Sequence, residues 1–199
     1  MGSGAQGEGS AARSAAEAGR WGEVAAACDA EAFEAGTPAA PSCPPALHLL
    51  GNLYAGDLVG ARFLAKRLSK AGAADPELAA AHVVLQHLWA RDFAAAQKTL
   101  AGTAWSAAVG PLAQALAAQL RDQVVRLVGK AYSSVRAPAL LELLGGGGEE
   151  DLAALCQAQG WALEGGVVRI AALAATVAAG EPRKLHLSQL AKYGIGLDS

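Results

Sequence analysis

The stretch "AGDLVGARFL", residues 55–64, carries the reading on which the fold turns. Its Gly-Asp step reads as a tight turn between antiparallel helices. Leu58, directly after the step, is large enough to plug the gap between the pair. Ala61, one helical turn further on, is small enough to let the two helices approach closely. The same pattern occurs in "AGRWGEVAAA" (residues 18–27) and "ARDFAAAQKT" (residues 90–99). There the bulky position is taken by Trp21 and Phe93, and Ala96 repeats Ala61. Trp21 and Leu58 are 37 positions apart, Leu58 and Phe93 35 positions. These intervals lie near the ~34 residues of a tetratricopeptide-type helix pair. Apolar residues at helical spacing run up to two of the turns: Leu47, Leu50 and Tyr54, then Val84, Leu88 and Trp89. Three helix pairs of this kind predict a short right-handed solenoid.

On either side of these repeats the texture changes. Residues 1–11 are rich in glycine and serine and are expected to be disordered. Helical patterning starts near Ala12, and four prolines in "GTPAAPSCPP" (Gly36–Pro45) break it. Beyond Gly102, the positions Leu112, Leu116, Leu120, Val124, Leu127, Val128 and Ala131 predict a long amphipathic helix ending near Ser134. Pro138 opens a short helix, "PALLELL". Then come Gly145–Gly148 and a third helix, "EEDLAALCQAQ", with Leu152, Leu155 and Cys156 on one face. Gly165-Gly166, between two short apolar runs, is a two-residue hairpin signal. Helix, short helix, helix, hairpin is the order of a winged-helix subdomain. The expected chain is therefore mainly α. Helical repeats cover 12–119, a winged-helix subdomain with a small β-hairpin 120–173, a linker 174–184, and a C-terminal helix 185–199.

The four glycines invite comparison with a phosphate-binding loop. Such a loop needs backbone N–H groups at a helix start together with a cation. Here the next helix opens with Glu149, Glu150 and Asp151, which already complement its positive dipole end and would repel a phosphate. The run is expected to be a bend and the most mobile internal segment, because four glycines are entropically costly to order. The same acids oppose DNA reading. From Glu149 to Gly160 there is no Lys or Arg, and only Gln157 and Gln159 could read bases in the major groove.

No other pattern carries chemistry. His82 and His87 are five apart and do not share a helix face as a metal pair would. His48 and His186 stand alone. Asp57 and Asp92 are turn residues, and Cys156 reads as a small core residue. Trp21, Trp89, Trp105 and Trp161 read as packing anchors. No catalytic, metal or cofactor site is expected.

The hydrophobic share is 53%, the charged share 17% and the net charge −2, so the chain reads as globular without a basic excess for nucleic acid or anionic lipid. Aromatics are only 5%, which favours helix over sheet. The odd cysteine count, Cys28, Cys43 and Cys156, suits a reducing compartment better than a disulfide framework. The first residues lack a signal-peptide core and a myristoylation pattern, and no membrane span is expected.

Five stretches in order carry a resemblance: "GDLVGARFLAKRL" (56–68), "LWARDFAAA" (88–96), "WSAAVGPLAQAL" (105–116), "LVGKAYSSV" (127–135) and "EEDLAALCQAQGW" (149–161), with the tail "QLAKYGIGLDS" also in keeping. They resemble the PCI-domain family shared by the COP-nine signalosome, the proteasome lid and translation initiation factor three, and most of all its signalosome subunit-eight branch. The resemblance implies a non-catalytic scaffold in the cytoplasm and nucleus that supports removal of a ubiquitin-like modifier from cullins. The alternatives are a lid or initiation-factor subunit, and less so a nucleic-acid-binding winged helix. It implies other PCI and signalosome subunits as partners. They would be met at the hairpin residues Val167, Val168, Arg169 and Ile170, and along a C-terminal helix burying Leu187, Leu190, Ala191 and Tyr193. The glycine run, and Gly194 and Gly196 in the last helix, depart from the family pattern.

Overall fold

The computed structural model describes residues 11–37, 42–70 and 75–170. The expected linker 174–184 and C-terminal helix 185–199 lie outside the described residues, as do residues 1–10.

Three helical hairpins come first. α1 (Ala11–Glu17) packs on α2 (Trp21–Ala35), α3 (Pro45–Tyr54) on α4 (Leu58–Lys70), and α5 (Pro76–Trp89) on α6 (Phe93–Gly102). Trp21, Leu58 and Phe93 are each the first residue of the second helix and lie half-buried against the core. Two residues earlier the backbone is left-handed every time: φ is 69° at Gly19, 80° at Gly56 and 60° at Arg91. The aspartates cap the second helix of their hairpins. Asp57 Oδ1 accepts the Gly60 N–H at 2.8 Å, and Asp92 Oδ1 accepts the Ala95 N–H at 2.9 Å. Each bond satisfies a donor that a helix start leaves open. Arg20 holds the equivalent place without a capping side chain and pairs with Glu23 instead. Ala61 and Ala96 are completely buried, as the close approach of paired helices requires. α3 lies at the centre. Every residue from Ala46 to Leu53 is buried, and the helix packs on α2, α4, α5 and α7. A helix with apolar residues on most of its circumference is driven to the interior, and it takes His48 and Asn52 with it.

The structure joins Cys28 on α2 to Cys43, just ahead of α3. The odd cysteine count gave no sign of this pair. Packing of α2 on α3 brings the two Cα atoms to 6.4 Å, within the span a disulfide bridges, and leaves Cys156 as the free thiol.

α7 (Gly110–Ala131) serves two apolar clusters. Leu112, Leu116 and Leu120 belong to the first, with the hairpins; Val124, Val125 and Val128 belong to the second. Leu127 and Ala131, expected on the buried seam, are exposed, and Val125 is buried instead. The reason is helical geometry. At 3.6 residues per turn, positions spaced by four walk around the axis, so the two clusters meet different faces. Leu127 falls back on the first face, past the end of the first cluster.

The second cluster is closed by β1 (Ser134–Arg136), α8 (Ala137–Leu143), α9 (Glu149–Gln159), β2 (Ala162–Glu164) and β3 (Val167–Arg169). Pro138 sits in the first turn of α8. β2 and β3 form the expected hairpin around Gly165-Gly166, with Glu164 opposite Val167. β1 is an addition to the expected elements, and it joins the other side of β3 with Val135 opposite Val168. The antiparallel order is β1-β3-β2. Leu140, Leu144, Leu152, Cys156, Trp161, Val168 and Ile170 fill the space between sheet and helices. The glycine run closes α8 with hydrogen bonds from Gly145 N to Glu142 O and from Gly146 N to Leu141 O. At the start of α9, the Gly148 N–H donates to Asp151 Oδ2 at 3.1 Å, so the helix start is occupied by the chain's own carboxylate.

Candidate docking interface

The sheet edge is the place where backbone polar groups meet solvent. The hairpin residues singled out from the sequence are divided by the pleat. Val168 is fully buried and Ile170 nearly so, Val167 is half-buried, and only Arg169 is exposed. β3 is also the central strand, with partners on both sides. A partner strand cannot pair with β3 itself, because β1 and β2 already occupy both its sides. The unpaired edges belong to β1 and β2. β2 is exposed along its whole length, and Leu163 stands 42% exposed at its centre although it shares the inward face with Val168. An edge strand carrying an uncovered apolar residue is a template for another chain's strand.

The outer face of the sheet is polar. Arg169 Nε lies 3.4 Å from Glu164 Oε2 across the hairpin, with both side chains largely exposed. An open cavity of about 550 Å³ lies there, bordered by Ser133, Ser134, Glu164, Val167, Arg169 and Ile170. Exposed pairs of this kind set orientation more than affinity. Leu187, Leu190, Ala191 and Tyr193 lie outside the described residues.

Among the described residues no three His, Cys, Asp or Glu side chains gather as a metal site needs, and no helix is long and apolar enough to cross a membrane. His48 is the one fully buried imidazole among them. Its Nε2 lies 3.0 Å from Asp29 Oδ1, and Arg67 Nη2 approaches the same oxygen at 3.6 Å. The ring nitrogens make no aligned hydrogen bond among the described residues, so this is a polar contact of a neutral ring beside the Asp29–Arg67 pair, where α2, α3 and α4 meet. Burial lowers the His48 pKa, which Asp29 opposes and Arg67 assists. Cys156 is enclosed by apolar side chains, and burial raises its thiol pKa, which suits packing and not nucleophilic attack. Trp161 is buried, and Trp21 and Trp105 pack half-buried, Trp105 with its Nε1–H on Leu100 O at 2.8 Å. Trp89 departs from the packing-anchor reading and is 50% exposed, because it follows the last inward turn of α5.

The sequence matches known proteins. A family model described as "CSN8/PSMD8/EIF3K family" covers residues 45–179, from the start of α3 past the end of β3. The chain is similar to COP9 signalosome complex subunit 8 of Danio rerio, 36% identical over 105 residues, covering 52% of this chain and 53% of that protein. It is 32% identical over 122 residues to the subunit 8 of Arabidopsis thaliana, 61% of each chain. It is 33% identical over 117 residues to that of Xenopus tropicalis, 58% of each chain. The matched stretch thus spans about half to three fifths of the length of these curated relatives. With two thirds of its residues under one family description, from α3 through the whole sheet, the chain belongs to the CSN8/PSMD8/EIF3K family.

Proposed function

We propose that this protein is a non-catalytic scaffold subunit of a COP9 signalosome-type assembly, and that it supports cullin deneddylation by holding other subunits in place. The curated relatives named as subunit 8 of that complex favour the signalosome over the lid and initiation-factor branches. In this reading the three helical hairpins form a short solenoid, and α7 to β3 form a winged-helix subdomain, each around its own apolar cluster. The boundary falls inside α7, near residue 120. Partners are other PCI and signalosome subunits in the cytoplasm and nucleus.

The observation that carries this reading is the free β2 edge with Leu163 exposed at its centre. A partner strand laid along Ala162–Glu164 would extend the sheet and cover that side chain. Residues 185–199 are proposed as a second contact, made through Leu187, Leu190, Ala191 and Tyr193.

Tagged wild-type chain, a Leu163→Lys variant and a chain lacking 185–199 should be purified from cells and the co-purifying proteins identified by mass spectrometry. Signalosome subunits should accompany the wild type, and each change should reduce their recovery. Lid or initiation-factor subunits in their place would assign the chain to another branch. Equal recovery with Leu163→Lys would remove the β2 edge from the interface.

A further inference from the structure

One face of the second and third hairpins is basic and apolar at once. On α4, Val59, Arg62, Phe63 and Lys66 recur at i, i+3, i+4 and i+7 and share a stripe turned to solvent. Phe63 is 65% exposed and Val59 56%. The opposite face of the helix, Ala61, Leu64, Ala65 and Leu68, is buried. α5 adds the exposed Trp89. Between the two helices opens a cleft of about 350 Å³, lined by Arg62, Lys66, His82, Leu85, Gln86 and Trp89.

Charge is as uneven as polarity. α4 holds Arg62, Lys66, Arg67 and Lys70 and no carboxylate, in a chain whose net charge is −2. Arg67 faces Asp29, and Asp57 at the head of the helix is engaged by the Gly60 N–H. The Lys66 ammonium has no ion-pair partner among the described residues. The Arg62 guanidinium lies over the Trp89 ring, 4.8 Å from its centroid, which holds its fork in place without neutralising it. Large apolar side chains clustered on an exposed face mark a contact surface, and the uncompensated cations beside them specify its sign.

We propose that this α4–α5 face binds an acidic, apolar-anchored peptide segment of a partner protein. Its carboxylates pair with Arg62 and Lys66, one Leu or Phe side chain enters the cleft beside Leu85 and Trp89, and another lies on the exposed Phe63. Nucleic acid fits less well. Base stacking needs an open ring face, and one face of Trp89 is covered by Arg62. Val59 and Phe63 offer a phosphate backbone nothing. The face belongs to the first apolar cluster, away from the β2 edge, and the proposal does not rest on the signalosome reading.

The test is fluorescence anisotropy on the full chain with three labelled probes: a peptide interspersing Glu and Asp with Leu and Phe, the same peptide with Ser at the apolar positions, and oligouridine. The first probe should bind saturably and weaken with added salt. Arg62→Glu with Lys66→Glu should lower its affinity at least about tenfold, and Phe63→Ser at least about fivefold. All three positions are exposed, so the unfolding midpoints of the variants should match the wild type, and amide resonances of 59–66 and 82–89 should shift on binding. Absence of saturable binding, equal affinity for either control probe, unchanged affinity of Phe63→Ser, or resonance shifts confined elsewhere would each overturn the proposal.

Discussion

Replacing Gly145 by alanine should destabilise the protein more than the same change anywhere else in the glycine run. Two costs add at this position. The backbone sits at φ +82°, where an L side chain costs about 1–2 kcal/mol. A Cβ built there would lie 2.7 Å from Gln97 Cβ and 3.4 Å from Ala94 O, both fixed to the backbone of α6 and unable to rotate away. Overpacking of that kind costs about 1–3 kcal/mol. The stiffer unfolded chain returns about 0.4–1 kcal/mol. The net loss is therefore about 1–4.5 kcal/mol on these figures. Gly148→Ala is the control: its Cβ meets nothing closer than 3.9 Å and its φ is −91°, so it should be near neutral. Urea unfolding followed by circular dichroism gives both values. Gln97→Ala should not rescue Gly145→Ala, because it keeps the offending Cβ, whereas Gln97→Gly should recover the steric part. Variants at 145 and 148 agreeing within about 0.5 kcal/mol would refute the claim that the run is pinned against α6.

The capping aspartates, His48 and the cysteine pair each give a further test. Asp57→Ala and Asp92→Ala should each lose about 1 kcal/mol in thermal or urea unfolding, since each removes a cap to a backbone N–H. Stability should fall as pH drops below about 6.5, because the unfolded His48 takes a proton there while burial keeps the folded imidazole neutral. The loss continues down to the lowered folded pKa, and His48→Asn should flatten urea midpoints measured between about pH 5 and 6.5. Reducing the Cys28–Cys43 link, which spans 15 residues, should cost about 2–3 kcal/mol, and Cys28→Ser should reproduce the effect without reductant.

Much of the helical half was legible because its information is local. A turn residue, a plug and a small residue one turn later recur within ten positions, and the capping by Asp57 and Asp92 and the burial of Ala61 and Ala96 arise from that pattern. The β2–β3 hairpin was legible for the same reason. β1 was not. Three residues around Val135 carry no strand signature, and their partner Val168 lies far along the chain. That missing strand misdirected the candidate interface, since β3 becomes central only once β1 is in place. The exposure of Trp89 and Phe63 was hidden because an amphipathic pattern does not say which apolar residues its core leaves uncovered. The cysteine pairing depended on how α2 meets α3, which no spacing encodes.

α7 has a mechanical consequence. Its 22 residues make a rod roughly 33 Å long, with one end locked into each half of the molecule. No loop lies between the halves to serve as a hinge, so their relative aim is set when this helix forms. A subunit gripping the sheet would thereby bear on where the basic face of α4 points, and a single proline midway along α7 would loosen that coupling, leaving Phe93 and the packing of Gly145 on α6 as the remaining ties.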